Sequence, residues 1–282
     1  MKLSIITVVR NGVTTIEQTI LSVINQNYLD FEYIIIDGVS TDGTLPIISK
    51  YSDKIHKVIS EPDKGIYDAM NKGILLAKGE WVYFLGADDT LYSDNTLNEL
   101  FTSFDKRADV LYGNVIFKNS KTIFDGKFDY NKMCLRVPCH QAVFYKKDLF
   151  NEFGLFNTKY KINADAVMHV RTFCADQVTW SFKNQIIAIF DDTGVSSVIK
   201  DVDHRNDSFE LLYNNFLGKV DSKILARVCL SNFFNFFLRN NPKVTWSYLV
   251  SINKNIGIIT WAKVFFLRIH EITFKYIFKY ER

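Results

Sequence analysis

Residues 3–11 read Leu-Ser-Ile-Ile-Thr-Val-Val-Arg-Asn, an apolar, β-branched run followed at once by two polar residues. Such a run predicts a buried β-strand over Leu3–Val9. Next along the chain, Thr14–Asn25 places its apolar residues at helical spacing, and Tyr33–Ile36 predicts a second strand. Strand and helix continue to alternate over the first hundred residues, which indicates βαβ units. We therefore expect an α/β fold with a mostly parallel central sheet.

Polar residues follow several of these predicted strands at the points where the strands end. In open parallel sheets, ligands bind at the carboxyl ends of the strands. We therefore expect these polar residues to converge on one cleft and to contact the ligand. They are Arg10 and Asn11, Asp37 and Gly38, residues 61–64, and Asp88 and Asp89.

Asp88 and Asp89 are adjacent carboxylates directly after the hydrophobic strand predicted at Glu80–Leu85. Such a pair is costly to bury unless a cation neutralises it. Mg²⁺ and Mn²⁺ prefer oxygen ligands and also bridge to phosphates, so the pair predicts a divalent-cation site. The alternative is an ordinary helix cap, with Asp89 or Asp94 preceding a helix.

Asp37 ends a predicted strand and is followed by a loop rich in Gly, Ser and Thr over 38–44. The arrangement offers a carboxylate together with backbone N–H groups. The carboxylate can accept hydrogen bonds from a nucleobase or from a ribose. The stretch contains neither a Gly-x-Gly-x-x-Gly fingerprint nor a P-loop. The alternative is a helix-capping turn through Ser40 or Asp42, which leaves Asp37 unexplained.

Five motifs occur in order along the first ninety residues. They are Ser4-Ile-Ile-Thr-Val-Val-Arg-Asn11, Ile36-Asp-Gly-Val-Ser-Thr-Asp-Gly-Thr44, Gly65-Ile-Tyr-Asp-Ala-Met-Asn-Lys-Gly73, Ala77-Lys-Gly-Glu80 and Gly86-Ala-Asp-Asp89. Together they resemble the family-two inverting glycosyltransferases, which have a nucleotide-diphosphosugar transferase fold. The resemblance covers about residues 1–200, and the stretch over 65–73 resembles the branch that builds O-antigens and colanic-acid-type exopolysaccharides.

The resemblance implies roles for residues at matching positions on the donor side. Thr7 and Asp37 would line the nucleoside pocket. Asp88 and Asp89 match the motif that holds the donor diphosphate with Mn²⁺ or Mg²⁺. Gly86 departs from the family pattern, which often has Asp at that position.

Asp165 matches the position of the family's catalytic base. The reaction needs such a group, because an acceptor hydroxyl must lose its proton as it attacks. Val167 stands where the family often has a further Asp. The alternative for Asp165 is an acidic residue favoured by the dipole at a helix N-terminus.

Three weaker candidates complete the predicted site. Asp68 and Asn71 share a helix face that we predict to meet the donor sugar or phosphate; a solvated face is the alternative. His140 and Gln141 precede a strand and are candidates for a sugar contact, against a structural histidine. His204 follows a loop that could close over the diphosphate, and it is a candidate for a diphosphate contact. The alternative is an ordinary surface residue.

The charge of the chain is distributed unevenly. From Lys219 to Arg282 there are eleven Lys and Arg against three Asp and Glu, whereas residues 1–218 are net acidic. Arg268–Arg282 combines a cationic stripe with aromatic and aliphatic residues, which suits a membrane interface better than nucleic acid. The alternative is a helix packed on the protein or on a second subunit. We expect a nucleotide-sugar-binding domain over 1–200 and a helical, basic extension over 201–282.

The remaining sequence features bear on the cellular location. The four cysteines lack metal-site spacing, and no apolar run reaches the roughly 18 residues of a spanning helix. The N-terminal residues do not resemble a signal peptide. We expect a cytoplasmic protein, peripheral on the inner face of the cytoplasmic membrane.

These observations predict an inverting, metal-dependent glycosyltransferase. It would transfer a sugar from a nucleotide sugar to a saccharide that is linked to a lipid through undecaprenyl diphosphate. A UDP-sugar is the expected donor, because UDP-sugars are the commonest donors. The reaction would belong to surface polysaccharide biosynthesis. One alternative is a non-catalytic binding module of the same fold. Another is a sugar nucleotidyltransferase, but the phosphate loop that it would need near the N-terminus is missing. The donor sugar, the linkage and the oligomeric state are not specified.

Overall fold

A computed structural model describes residues 2–194 and 201–229 of the chain. The described residues group into two compact units. The first contains residues 2–128, 138–194 and 201, and the second contains residues 129–137 and 202–229.

The first unit is built on one mixed β-sheet. Its strands within the described ranges are β1 (Leu3–Val9), β2 (Phe31–Asp37), β3 (Lys57–Ser60), β4 (Trp81–Phe84), β5 (Thr90–Leu91), β6 (Val110–Phe117), β7 (Ile123–Phe124), β8 (Val143–Lys146) and β9 (Trp180–Phe190). Hydrogen bonding places them in the order β3-β2-β1-β4-β8-β6-β9-β5, and β7 pairs with β6.

The helices of the first unit cover the sheet and connect its strands. They are α1 (Ile16–Ile24), α2 (Thr44–Ser49), α3 (Ile66–Leu76), α4 (Thr96–Thr102), α6 (Leu149–Glu152) and α7 (Ala164–Phe173), with a 3₁₀ turn at His140–Ala142. The second unit contains α5 (Tyr130–Leu135) and α8 (Val202–Phe216), and residues 222–229 are also helical.

The N-terminal half of the sheet is parallel, as predicted. β1 pairs in parallel with β2 and β4, and β2 with β3, in a register that sets Val9 opposite Asp37 and Ile6 opposite Phe84. The carboxyl ends of these strands therefore lie at one edge. β1, β2 and β4 are almost wholly buried because helices cover both faces of the sheet. The predicted α/β fold with a mostly parallel central sheet is confirmed.

The C-terminal half of the sheet differs from the prediction in detail. β8 inserts antiparallel to both β4 and β6, and β6 runs parallel to β9. β7 contains only two residues. The strand predicted to follow His140 and Gln141 is β8, which begins at Val143. Gln141 belongs to the 3₁₀ turn, and its carbonyl accepts a hydrogen bond from Tyr83 Oη.

The second unit joins two distant parts of the chain. The backbone N–H of Asp221 donates to Asn131 Oδ1 over 3.0 Å, and Lys219 Nζ lies 5.6 Å from the ring centre of Tyr130. His204 lies in α8 of this unit. The cationic stripe predicted over Arg268–Arg282 lies outside the described residues, and the predicted division at residue 200 stays a prediction.

None of the helices in the described ranges combines the length and the apolar character that crossing a membrane requires.

Candidate active site

The loops that follow β1 and β2 are joined to each other by hydrogen bonds. The backbone N–H of Asn11 donates to Ser40 Oγ over 2.8 Å, and Asn11 Oδ1 accepts from the backbone N–H of Thr41 over 2.9 Å. Asn11 and Val39 both have positive φ, 55° and 57°. This conformation is costly for a β-branched residue such as Val39, so the surrounding contacts must hold the two loops in place.

Asp37 ends β2 and is completely buried. Its Oδ2 accepts hydrogen bonds from the Ser40 N–H (3.1 Å) and from Ser60 Oγ (2.6 Å). Its Oδ1 has no hydrogen-bond partner among the described residues, although it is buried. Because an unpaired buried acceptor costs free energy, Oδ1 suits an N–H or O–H donor from a ligand.

Arg10 and Asp63 approach the backbone beside Asp37. A Cβ atom at Gly38 would lie 2.3 Å from Asp63 Oδ2 and 3.4 Å from the Arg10 side chain. Only glycine therefore fits between them without a shift. Of the strand-end residues predicted to converge, Arg10, Gly38 and Asp63, which follow β1, β2 and β3, lie together here.

Thr7 lies in β1 and is also completely buried. Its Oγ1 accepts a hydrogen bond from Tyr33 Oη over 3.1 Å. The structure therefore gives the Thr7 side chain a partner within the protein, and its predicted contact with a nucleoside stays a prediction.

Asp89 is 1% exposed, and both of its carboxylate oxygens accept hydrogen bonds. The backbone N–H of Asp191 donates to Oδ1 and Gln141 Nε2 donates to Oδ2, each over 2.8 Å. Burial, followed by the charge of Asp88, raises the pKa of Asp89 to about 7. The helix-cap alternative is wrong, because Asp89 precedes β5 and the next helix begins at Thr96.

Two glycines lie against the Asp88–Asp89 pair. A Cβ atom at Gly86 would lie 2.4 Å from Asp89 Oδ2 and 2.9 Å from Asp88 Oδ1. A Cβ atom at Gly194 would lie 2.8 Å from Asp88 Oδ2. A side chain at position 86 would therefore require these carboxylates to shift.

The Asp88–Asp89 pair has the donor chemistry of a divalent-cation site. Within the part of the chain that the structure describes, no group of three or more His, Cys, Asp and Glu is arranged to hold a metal by itself. Burial raises the pKa of Asp88 as well, and Lys118 Nζ pairs with Asp191 Oδ2 at 2.9 Å. Because the described residues supply little positive charge to the pair, the two carboxylates suit a divalent cation.

Asp165 lies in the first turn of α7 with a side chain that is 19% exposed. Tyr67 Oη donates a hydrogen bond to Asp165 Oδ1, and His140 Nδ1 lies 3.8 Å from Asp165 Oδ2. The His140 ring also stacks on Phe84, with 5.8 Å between ring centres. Asp165 therefore does more than occupy a favourable position at a helix N-terminus, since both oxygens face side chains of other elements.

His140 and Gln141 connect the two predicted centres of the site. They are neighbours in the 3₁₀ turn, where His140 faces Asp165 and Gln141 holds Asp89. The predicted base and the predicted metal ligand therefore lie on either side of one turn.

Asp68 and Asn71 contact the protein itself in this structure. Asp68 Oδ2 accepts a hydrogen bond from the Lys64 N–H over 3.0 Å. Asn71 Nδ2 donates to the Phe156 carbonyl (2.8 Å), and the Phe156 N–H donates to Asn71 Oδ1 (2.9 Å). The predicted donor contacts of both residues stay predictions, as does the diphosphate contact of His204.

Two residues of the site have no role in the sequence-based prediction. Asp191 follows β9 and anchors Asp89 through its backbone; hydrogen bonds from Thr193 and Lys118 lower the pKa of its own carboxyl to about 2. Asp191 follows a strand end, the signal that identified Asp37 and Asp88. Tyr67 lies within the motif over 65–73, but nothing local to it indicates Asp165 as its partner.

The raised pKa of Asp89 predicts how the metal-free protein responds to pH. Asp89 binds its proton more tightly in the folded protein than in the unfolded chain, so proton binding by Asp89 stabilises the folded state. This contribution is fully present below about pH 4 and is lost as pH rises to about 7. In EDTA, we expect Asp89→Asn to gain roughly 2–4 kcal/mol of unfolding free energy relative to wild type between about pH 5 and about pH 8. Urea unfolding of both proteins measures this difference; a difference that is independent of pH would contradict it.

Solved structures of similar fold include TarS of Staphylococcus aureus and a mannosyltransferase of Pyrobaculum calidifontis. Staphylococcus aureus TarS 1–349 in complex with UDP aligns with a TM-score of 0.67 and 18% identity, over 94% of this chain and 90% of that one. The mannosyltransferase PcManGT from Pyrobaculum calidifontis, in complex with GDP-Man and Mn²⁺, aligns with a TM-score of 0.55 and 13% identity, over 94% and 87%. At these identities, the similarity shows the fold.

Sequence relatives and a family model establish the family. A PGL/p-HBAD biosynthesis glycosyltransferase of Mycobacterium bovis is 35% identical over 187 residues, covering 64% of this chain and 73% of that protein. The putative teichuronic acid biosynthesis glycosyltransferase TuaG of Bacillus subtilis is 38% identical over 100 residues, covering 34% of this chain and 40% of that protein. The model of glycosyl transferase family 2 matches residues 4–173. With the motifs at the strand ends and the fold that carries them, this match shows that the chain belongs to glycosyltransferase family 2.

Proposed function

We propose that this glycosyltransferase moves one sugar, with inversion, from a UDP-sugar to a hydroxyl of a lipid-linked glycan in cell-surface glycan biosynthesis. The observation that carries the proposal is the turn at His140–Ala142. Its first two residues face Asp165 and Asp89, so a general base and an anionic donor-binding pair lie next to each other. This is the arrangement that a direct displacement between an acceptor and a nucleotide diphosphate requires.

The reaction is a single in-line displacement at the anomeric carbon of the donor sugar. The acceptor oxygen forms a bond to this carbon as the bond to the diphosphate oxygen breaks, and the electron pair leaves with the nucleoside diphosphate. Asp165 takes the proton of the acceptor hydroxyl, which is the role of a general base. One displacement inverts the configuration at the anomeric carbon.

The donor side is assigned to the loops at the carboxyl ends of β1, β2 and β4. Asp37 offers its unpaired Oδ1 to the nucleoside, and Arg10 and Asn11 border the same loops. Asp88 and Asp89 would hold Mg²⁺ or Mn²⁺, which neutralises the charge of the diphosphate leaving group when bound. Gln141 and the backbone of Asp191 hold the Asp89 carboxylate in one orientation.

Several comparisons support this substrate class. Solved structures of TarS contain UDP and UDP-GlcNAc, and the relatives noted above are named for PGL/p-HBAD and teichuronic acid biosynthesis. A non-catalytic module of the same fold is less well supported, because Asp88, Asp89 and Asp165 are all present and the turn at His140–Ala142 brings their surroundings together. A sugar nucleotidyltransferase would need the N-terminal phosphate loop that this chain lacks.

A thermal-shift and hydrolysis screen of UDP-, GDP- and dTDP-sugars, with and without Mn²⁺, tests the proposal. We expect a UDP-sugar to stabilise the protein most, and the stabilisation to need the metal, because ligand binding to the folded state raises the unfolding temperature. Stabilisation by a GDP- or dTDP-sugar alone would overturn the choice of nucleotide. Absence of stabilisation and turnover with all of them would overturn the function.

We also propose that the basic C-terminal sequence brings the enzyme to an anionic membrane surface, where a lipid-linked acceptor is found. We expect full-length protein to sediment with vesicles that contain anionic lipid, and to be partly released by salt, because ions screen surface attraction over about 8–10 Å. Deletion of residues 256–282 should abolish sedimentation while the shortened protein still binds its nucleotide sugar. Full-length protein that ignores anionic vesicles would contradict the proposal.

A further inference from the structure

The two side chains that face the oxygens of Asp165 do so at different distances. Tyr67 Oη is within hydrogen-bond distance of Oδ1, whereas His140 Nδ1 is 3.8 Å from Oδ2, beyond the range of a hydrogen bond. Tyr67 is 5% exposed, and Asp165 retains 19% exposure. One carboxylate oxygen is therefore held by the protein, while the other remains available to an incoming hydroxyl.

Packing fixes the position of the Tyr67 hydroxyl. The Tyr67 ring lies 5.5 Å from the ring of Phe156, which in turn packs on Phe84 and Phe150 with ring centres 5.4 and 5.5 Å apart. Asn71, one turn further along α3, binds both backbone groups of Phe156. Because these contacts leave Tyr67 little freedom, its hydroxyl sets the orientation of the carboxylate that it holds.

Tyr67 acts as a hydrogen-bond donor throughout the useful pH range. Burial, followed by the charge of Asp165, raises the pKa of Tyr67 well above its ordinary value, so the phenol keeps its proton. Burial also lowers the pKa of His140, so this neighbour is neutral at pH 7. The titratable groups around Asp165 are Tyr67 from α3, Cys139 and His140 from the turn, Tyr145 from β8, and His169 from α7 itself.

We propose that Tyr67 is a positioning residue for the catalytic base, holding Oδ1 of Asp165 so that Oδ2 meets the acceptor hydroxyl. The inference rests on the proposed role of Asp165. The hydrogen bond fixes the orientation of the Asp165 carboxylate relative to the incoming hydroxyl. Since Tyr67 and the predicted donor contact Asp68 are neighbours in the first turn of α3, one helix holds both the base and part of the donor side.

Tyr67→Phe removes the hydroxyl and keeps the ring. We expect kcat to fall about 10- to 100-fold, because hydrogen bonds to charged groups and the orientation of reacting groups have effects of this size. The donor KM should stay within about threefold, since the donor is bound by other residues.

Tyr145→Phe is the matched control. Tyr145 is buried near the same carboxylate, but its Oη has no hydrogen-bond partner among the described residues. Loss of this hydroxyl should leave kcat and the donor KM unchanged. Thermal unfolding of both variants checks that each is folded.

Asp165→Asn and the double variant with Tyr67→Phe separate the possible outcomes. If Asp165→Asn reduces turnover ~10²–10⁴-fold and the double variant loses no more, the two residues act as a unit, as proposed. If Asp165→Asn loses turnover to this extent while Tyr67→Phe keeps wild-type kcat, the positioning role is wrong and the proposed function stands. If Asp165→Asn turns over normally, the base assignment itself fails.

Discussion

Asp165→Asn is expected to reduce turnover by ~10²–10⁴ while nucleotide-sugar binding stays within a few-fold of wild type. The substitution keeps the size and polarity of the side chain and can still accept the hydrogen bond from Tyr67. An amide, however, cannot take the proton of the acceptor hydroxyl. Donor affinity from thermal shift or calorimetry, and kcat from release of the nucleoside diphosphate, measure the two effects separately.

Asp53→Asn serves as the control for the loss of one negative charge, because Asp53 is exposed in the loop after α2. It should retain wild-type turnover. If Asp165→Asn weakens donor binding as severely as substitution of Asp89 does, then Asp165 belongs to the donor site. Normal turnover by Asp165→Asn would place the base on another residue.

Asp89→Ala is expected to abolish transfer and to remove the effect of Mn²⁺ on donor binding. Asp89 is buried after β4 beside Asp88, and its pKa is raised to about 7 by burial and then by the charge of Asp88. A bound divalent cation would offset the charge of both carboxylates. Loss of the carboxylate should therefore remove metal-dependent binding of the nucleotide diphosphate, measured by titration with and without Mn²⁺.

A second variant, Asp89→Asn, controls for the possibility that Asp89→Ala loses activity because it misfolds. Asp89→Ala leaves the Gln141 and Asp191 donors without their acceptor. Asp89→Asn keeps an oxygen for one of them and removes the buried charge, so the folded metal-free protein should be at least as stable as wild type near pH 8. Wild-type transfer by either variant, or by the native enzyme in excess EDTA, would contradict the metal assignment.

The parallel half of the fold follows from local sequence patterns. The β1 boundaries, Leu3–Val9, are as predicted, because a β-branched run buried on both faces has a clear beginning and end. Short elements were not predictable in the same way. β5 has two residues, which are a strand only because they pair with β9. No local sequence pattern predicts this pairing.

In the candidate site, too, some features follow from local sequence whereas others depend on long-range contacts. Asp37, Asp88 and Asp89 stand out in sequence because charged residues directly after buried strands need an explanation. The contacts that organise them link residues far apart in the chain: Gln141 and Asp89 are separated by 52 positions, and Tyr67 and Asp165 by 98. Such pairs depend on how the strands are ordered, and the antiparallel insertion of β8 beside β4 brings the 3₁₀ turn to Asp89.

The predicted helix face of α3 illustrates a limit of periodicity. Asp68 and Asn71 do share a face, as their spacing predicts. Spacing alone does not specify the partner, and Asn71 binds the backbone of Phe156 through both of its amide atoms. A polar residue on a helix face therefore indicates a contact, and the partner is decided by the loop that packs there.

The configuration of the first sugar released by the enzyme tests the central claim most directly. Wild-type protein with Mn²⁺ and the UDP-α-sugar chosen by the screen, with water as acceptor, should release the β anomer first, and NMR follows the anomeric proton before mutarotation. The Asp165→Asn variant, which lacks the general base, should release it ~10²–10⁴ times more slowly. Initial release of the α anomer would contradict a single displacement assisted by Asp165.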